Sequence, residues 1–257
     1  MNYKTFSGGI IMDFSGKVAL ITGASAGIGR ATSLQFASHG AKVVVVDMNK
    51  DGLVSLEKEI LEYTSDVMSI AMDVSDEEAV YNAIDAVKQR FGGIDILVNN
   101  AGIFRDFETF IDSSSDKWRK YIDVNILGVM YFAKAVLPSM IDKGYGRIIN
   151  LGSVAGVYGK AHMCCYSMTK GAVISFTKAL AKEVTAKGIT VNCVSPGSVS
   201  DSQVDTDYNN TYSTELSFAG RTGSHMENAN LICFIASDEA AYISGQNIQI
   251  DGCRKSM

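Results

Sequence analysis

The sequence predicts an α/β fold: a doubly wound parallel sheet of about seven strands, with helices on both faces, in a single domain. Three observations predict it. Short apolar, β-branched runs alternate with helix-like stretches along almost the whole chain, the rhythm of repeated β-α units. One run, Val43 to Val46, is four consecutive valines with no polar alternation, which suits a strand buried on both faces. No segment rich in Pro, Gly or Ser divides the chain, and its two prolines are Pro138 and Pro196.

The elements follow in order. Residues 17–21 form a first strand and 27–38 a helix; 41–46 is the second strand and 50–62 the second helix. Residues 67–72 read as strand three. The helix over 76–90 starts at Ser75-Asp-Glu-Glu78, where a hydroxyl and a carboxylate three residues later match a capping box. Strand four is 94–98, a long helix surrounds 118–137, and strand five is 147–151. A helix near 166–185, a strand at 190–194, a helix near 227–235 and a strand at 247–250 complete the series. Right-handed crossovers then wind the sheet on both faces. Residues 1–13 stand outside the rhythm as an N-terminal extension, leaving 14–257 as the domain. The polar stretch 198–220 breaks the rhythm too and is expected to be a substrate-binding lid.

Composition narrows the function classes. Hydrophobic residues are 47% of the 257 and charged residues 20%, as in an ordinary globular protein, so disorder is excluded for the bulk of the chain. Acidic residues outnumber basic ones by 28 to 23, which leaves no cationic footprint for a nucleic acid. Apolar runs such as 124–133 fall short of the ~20 residues that span a bilayer, so no membrane partner is expected. Five scattered cysteines without a CxxC pair fit a reducing compartment, and the N-terminus lacks the long apolar segment of a signal peptide; a cytoplasmic chain is expected. His39, His162 and His225 are too far apart to suggest a zinc site, and no metal is expected.

Four features carry chemistry. After the first strand comes Thr22-Gly23-Ala24-Ser25-Ala26-Gly27-Ile28-Gly29, opening a helix whose free N–H groups and dipole suit a pyrophosphate. A glycine-rich turn alone could merely join strand to helix; its place in a βαβ unit favours phosphate binding. Asp47 ends the second strand, where a carboxylate accepts hydrogen bonds from the adenosine ribose and repels a 2′-phosphate. Ala26 occupies a place where a cation could have met that phosphate, so NAD is favoured over NADP, with Arg30 the nearest cation. Tyr166 and Lys170, four apart on a helix, share a face, and the cation favours phenolate. Such a pair is commonly a surface coincidence, but Ser153 at the end of strand five converges on it.

Together these residues resemble the short-chain dehydrogenase/reductase family, in its single-domain, tyrosine-dependent branch with a Rossmann-like fold. The resemblance covers about residues 14–252. Its motifs are Thr22-Gly-x-x-x-Gly-x-Gly29, Asp73-Val74, Asn99-Asn-Ala-Gly102, Asn125, Ser153, Tyr166-x-x-x-Lys170, Asn192, Pro196-Gly197 and Asp251-Gly252. The resemblance implies that Gly23, Ser25, Gly27, Ile28 and Gly29 cradle the pyrophosphate and Asp47 the ribose. It places Asp73 and Val74 at the adenine, with Asn99, Ala101 and Gly102 lining the cofactor path. Pro196, Gly197 and Val199 would pack along the nicotinamide. It makes Tyr166 the general acid/base, Ser153 the group that orients the substrate oxygen, and Lys170 the holder of the nicotinamide ribose. Asn125 would keep a water in the proton relay. It also implies a homotetramer, or a homodimer.

The chain departs from the family pattern at Ser200, where a threonine is usual, and at His225, where a proline often starts the helix. The leading reading is an NAD(H)-dependent oxidoreductase interconverting a secondary alcohol and a ketone, the small-molecule substrate being a hydroxysteroid or a polyol. The alternative is a 3-oxoacyl-acyl-carrier-protein reductase-like enzyme using NADPH. It ranks lower because the stretch 198–220 is acidic, with Asp201, Asp205, Asp207 and Glu215, and Ala26 is not basic. A different class, a catalytically silent dinucleotide-binding sensor or scaffold, should have lost Ser, Tyr or Lys, and all three are present.

Overall fold

The computed structural model describes residues 12–104, 107–200 and 217–255. Seven strands form one fully parallel sheet: β1 (Val18–Thr22), β2 (Lys42–Asp47), β3 (Val67–Ala71), β4 (Ile96–Asn99), β5 (Gly146–Leu151), β6 (Ile189–Pro196) and β7 (Asn247–Ile250). Their spatial order is β3-β2-β1-β4-β5-β6-β7. The predicted doubly wound architecture is therefore the observed one. The order reverses between β1 and β4, and in such sheets a crevice opens there at the carboxyl ends of the strands.

Period-two alternation sends each strand's side chains into two cores. Ala19, Ile21, Val43 and Val45 join Phe14, Phe36, Leu56 and Ile232 on one face. Leu20, Val44 and Val46 join Ile84, Phe132, Val136 and Met140 on the other. The valine run thus fills both faces, which is why it carries no polar alternation. On the first face lie α1 (Gly27–Ser38), α2 (Lys50–Ile60) and α8 (His225–Ala236). On the second lie α3 (Glu77–Phe91), α5 (Gly128–Lys143) and α7 (Cys164–Val184).

Three details differ from the sequence reading. Helix α3 is capped by Asp76, whose carboxylate accepts from Ala79 N–H, and no box forms on Ser75. The reason is local: the Asp73 carboxylate engages both the Ser75 hydroxyl (2.7 Å) and its N–H (2.9 Å). A capping box does form at the start of α8, between Ser224 and Glu227. The long helix is α4 (Ser115–Ile122) and α5 joined by a π turn at Asp123–Leu127, with Pro138 inside α5. Taken together, 115–143 is long and apolar enough to cross a membrane by length and composition, yet Val129, Phe132, Ala133, Val136 and Met140 are buried in the protein core. A short helix α6 (Val154–Tyr158) also follows β5.

Of the N-terminal extension, residues 1–11 lie outside the described residues, as does 201–216, most of the expected lid. Phe36 is fully buried and meets Phe14 edge-on, with ring centroids 4.8 Å apart. Truncation in Phe36→Ala should lower unfolding free energy by about 3–5 kcal/mol, since the site is packed on all sides. A shift in urea midpoint at unchanged slope would show this; an unchanged midpoint would place the ring outside the stabilising core.

Candidate active site

At the carboxyl end of β1 the chain must turn sharply under a helix. Gly23 takes φ +62, and a Cβ there would lie 2.8 Å from the Ala101 Cα. A Cβ on Gly29 would overlap the Gly23 carbonyl oxygen. Asn100 closes the same turn from β4: its Nδ2 donates to the Thr22 and Gly23 carbonyls at 2.9 Å each. Thr22 Oγ1 in turn accepts from the Asn100 and Ala101 N–H groups at 3.1 Å. Helix α1 then starts without a side-chain cap and without an acidic residue in its first turn. Such an end, on a loop with no Cβ to obstruct it, fits the pyrophosphate of a dinucleotide. The His225 ring sits beside this loop, 3.6 Å from where a Gly27 Cβ would stand. Neither Asn100 nor His225 was singled out for this place from the sequence.

Asp47 ends β2 and faces the loop. One carboxylate oxygen accepts the Ser25 N–H and the other the Asn49 N–H, both at 2.9 Å. Arg30, the nearest cation in sequence, is committed elsewhere, to Glu59 at 2.6 Å. Asp73 forms a turn with Ser75 at the end of β3, and the Val74 side chain is buried against Gly128. Only the Val74 backbone is therefore available to a ligand.

Asn99 differs most from its expected role. Its side chain is 2% exposed and turns into the sheet, donating to Asn150 Oδ1 at 2.9 Å instead of lining the crevice. Asn150 passes the contact on to Thr177 of α7, also at 2.9 Å. This buried chain ties β4 and β5 to the catalytic helix. Gly102 does reach the site: a Cβ there would lie 3.2 Å from Asn125 Oδ1 and 3.4 Å from Lys170 Nζ. At the far wall Gly197 N–H donates to the Ile250 carbonyl, and Val199 bridges to Gly223. The Ser200 hydroxyl lies 2.8 Å from Thr222 Oγ1.

The four catalytic candidates converge. Ser153 caps α6, accepting the Ala155 N–H at 3.1 Å, and its hydroxyl is near enough to the Tyr166 phenol to influence its titration. Burial pushes the Tyr166 phenol above its ordinary range, and the Ser153 contact partly offsets this. Lys170 is buried, with Nζ donating to the Leu151 carbonyl at 2.7 Å and lying 5.9 Å from the Tyr166 ring centre. Its removal from water lowers its pKa to about 8. The Asn125 side chain lies in the π turn and is fully used by the fold. Its Nδ2 donates to the Ile103 carbonyl (3.0 Å) and Thr169 Oγ1 (3.1 Å), and its Oδ1 accepts Ile103 N–H (2.8 Å). A water relay at Asn125 would thus run through its backbone carbonyl, whose bonding the π turn alters.

A glycine-bounded helix N-terminus and a Ser-Tyr-Lys set at one crevice fit an oxidoreductase that binds a nicotinamide dinucleotide. The model of the short chain dehydrogenase family matches residues 17–213, and the chain belongs to that family. It is 40% identical over 243 residues to a 3-oxoacyl-[acyl-carrier-protein] reductase of Thermotoga maritima, covering 94% of this chain and 98% of that one. It is 37% identical over 248 residues to the Escherichia coli protein of the same name, with the same coverages. Among solved structures, L-sorbose reductase from Gluconobacter frateurii, complexed with NADPH and L-sorbose, superposes with TM-score 0.90 at 32% identity, covering 96% and 100% of the two chains. An NAD+-bound xylitol dehydrogenase does so with TM-score 0.86 at 33% identity, covering 93% and 99%.

The site makes reduction pH-dependent with a defined sign. The Lys170 ammonium, the charged form that would support Tyr166 as proton donor, is lost as pH rises through about 8. The kcat/KM for ketone reduction, which reports groups of the free enzyme, should fall across that pH. A profile flat through that range would separate Lys170 from proton transfer.

Proposed function

We propose that the chain is an NAD(H)-dependent ketone reductase and secondary-alcohol dehydrogenase in which Tyr166 is the general acid/base. The observation that carries this reading is the half-buried Tyr166 with Ser153 beside its phenol and the Lys170 Nζ 5.9 Å from its ring centre. The bound dinucleotide supplies or accepts the hydride at its nicotinamide. In the reducing direction the Ser153 hydroxyl donates to the substrate carbonyl oxygen and holds it beside the Tyr166 phenol, which delivers the proton. Lys170 stabilises the phenolate left behind and binds the nicotinamide ribose. In the oxidising direction Tyr166 takes the carbinol proton. Preference for NAD(H) is supported by Asp47 at the ribose corner and by the pairing of Arg30 with Glu59, which leaves a 2′-phosphate facing a carboxylate.

For the substrate, the curated relatives move the weight from a hydroxysteroid or polyol to a 3-oxoacyl thioester. The wall beside Tyr166 supports an apolar substrate body. The Phe104 ring is 54% exposed and its centre lies 6.3 Å from that of Tyr166, a surface suited to an acyl chain. The same surface would take a steroid face, so a neutral hydroxysteroid is the second reading. Polyols are represented by the structural likeness to xylitol dehydrogenase. The enzyme works in this reading as a homotetramer or homodimer in the cytoplasm, and its five cysteines are all free thiols.

Tyr166→Phe should abolish turnover by about 10³-fold or more while leaving NADH affinity within about twofold, because it removes the proton but little binding surface. Retained turnover would end the assignment. Asp47→Asn should weaken NADH and strengthen NADPH binding, as read by nucleotide fluorescence. A panel of 3-oxoacyl thioesters, hydroxysteroids and polyols with the preferred cofactor identifies the substrate class. Binding without any turnover would restore the sensor reading.

A further inference from the structure

We infer that Glu59 is a specificity residue for the dinucleotide: it holds the Arg30 guanidinium in an ion pair on α2 and so withholds that cation from a ribose 2′-phosphate. The inference rests on the NAD(H) reading above. Arg30 lies on α1, one turn beyond the phosphate loop, and its guanidinium spans the gap to α2. Nη1 donates to the Ser25 carbonyl at 3.2 Å and reaches the Gly52 carbonyl at 3.5 Å. Nη2 donates to Ser55 Oγ at 3.0 Å and to Glu59 Oε1 at 2.6 Å. Gly52, Ser55 and Glu59 recur at the spacing of one helix face, so α2 presents a strip of acceptors to this one cation.

The position matters because Ser25 also gives its N–H to Asp47. Arg30 and Asp47 therefore hold the same loop residue from opposite sides, and the cation stands next to the ribose corner. Close approach of α2 makes this possible: a Cβ on Gly52 would lie 2.7 Å from Ser25 Cβ. A guanidinium in this place is the group a 2′-phosphate would attract. To serve it, Arg30 must leave the Glu59 pair and abandon a carboxylate close to the incoming dianion. Both members are partly in water, with side chains 24% and 45% exposed, so the pair is modest and can open. Asp47 rejects the phosphate directly, and Glu59 does so by removing its natural counter-charge.

Full-length wild type, Glu59→Gln and the double variant Arg30→Gln/Glu59→Gln are titrated with NADH and NADPH, with nucleotide fluorescence as the readout. Glutamine keeps an oxygen for the guanidinium but removes the charge. The expected result is an NADPH Kd lowered about fivefold in Glu59→Gln, the size of an exposed ion pair, with NADH Kd unchanged within about twofold. In the double variant the gain should vanish. An unchanged NADPH-to-NADH ratio in Glu59→Gln overturns the inference, as does an equal loss for both nucleotides. A gain that persists without Arg30 also overturns it, because charge removal alone would then explain the effect. Wild type binding NADPH more tightly than NADH would instead overturn the NAD(H) reading itself, and the wild-type titration alone shows that.

Discussion

A charged amine buried in a protein interior is unstable unless it is met by an acceptor, and the arrangement around Lys170 follows from that constraint. Its Nζ is given to the Leu151 carbonyl, the last of β5, which fixes the catalytic helix against the strand. Ser153 lies two residues beyond that carbonyl and Tyr166 one helical turn before the lysine. The hydrogen bond that satisfies the ammonium thus also sets the distance between hydroxyl and phenol. Burial that lowers the lysine toward neutrality and raises the phenol works against their catalytic use. The Ser153 contact opposes it at the phenol, and Cys193 opposes it at the lysine.

Further ties repeat this logic deeper in the molecule. Asn99, Asn150 and Thr177 form a hydrogen-bonded line of buried side chains across β4, β5 and α7. Such a line is stabilising only when complete, because an unpaired amide at any point costs more than the bond it replaced. It sits two turns along α7 from Lys170 and on the same face, so it sets the height of the helix on the sheet. Asn125 does the corresponding work at the other end of the site through Thr169 and Ile103.

Much of this was legible in the residues. Continuous valines marked a strand buried on both faces. The glycine pattern after β1, Asp47 after β2 and the Tyr166/Lys170 spacing marked the crevice, because each is a local sequence feature with a local cause. What escaped was the part decided across the fold. Residues 123–127 read as uninterrupted helix, and only the capture of Asn125 by Ile103 and Thr169 accompanies the π turn found there. Asn99 points inward because its partner on β5 is 51 residues away, a pairing no window reveals. Ser75 lost its box to a turn with Asp73, whose carboxylate takes the backbone N–H that Glu78 would have accepted. The weight given to an acidic lid rested on 198–220, most of which lies outside the described residues.

Helix ends show where function overrides local stability. Helices α2, α3, α4 and α8 each carry a side chain that accepts a first-turn N–H, from Asn49, Asp76, Ser114 and Ser224. Helix α1 begins at an alanine with no such bond, and α5 and α7 start without one too. A serine or aspartate at Ala26 would stabilise α1 by ~1 kcal/mol, yet in the proposed reading it would place an acceptor where the pyrophosphate is received. The N–H groups left open at that end would then be a binding surface held at the expense of a cap. The same economy appears in Asp47, whose two oxygens both brace backbone N–H groups while, in the proposed reading, keeping a carboxylate at the ribose corner. Loop and charge are positioned by one side chain, so a change that relaxes the charge also loosens the loop. In that reading nucleotide selection and phosphate binding are physically coupled.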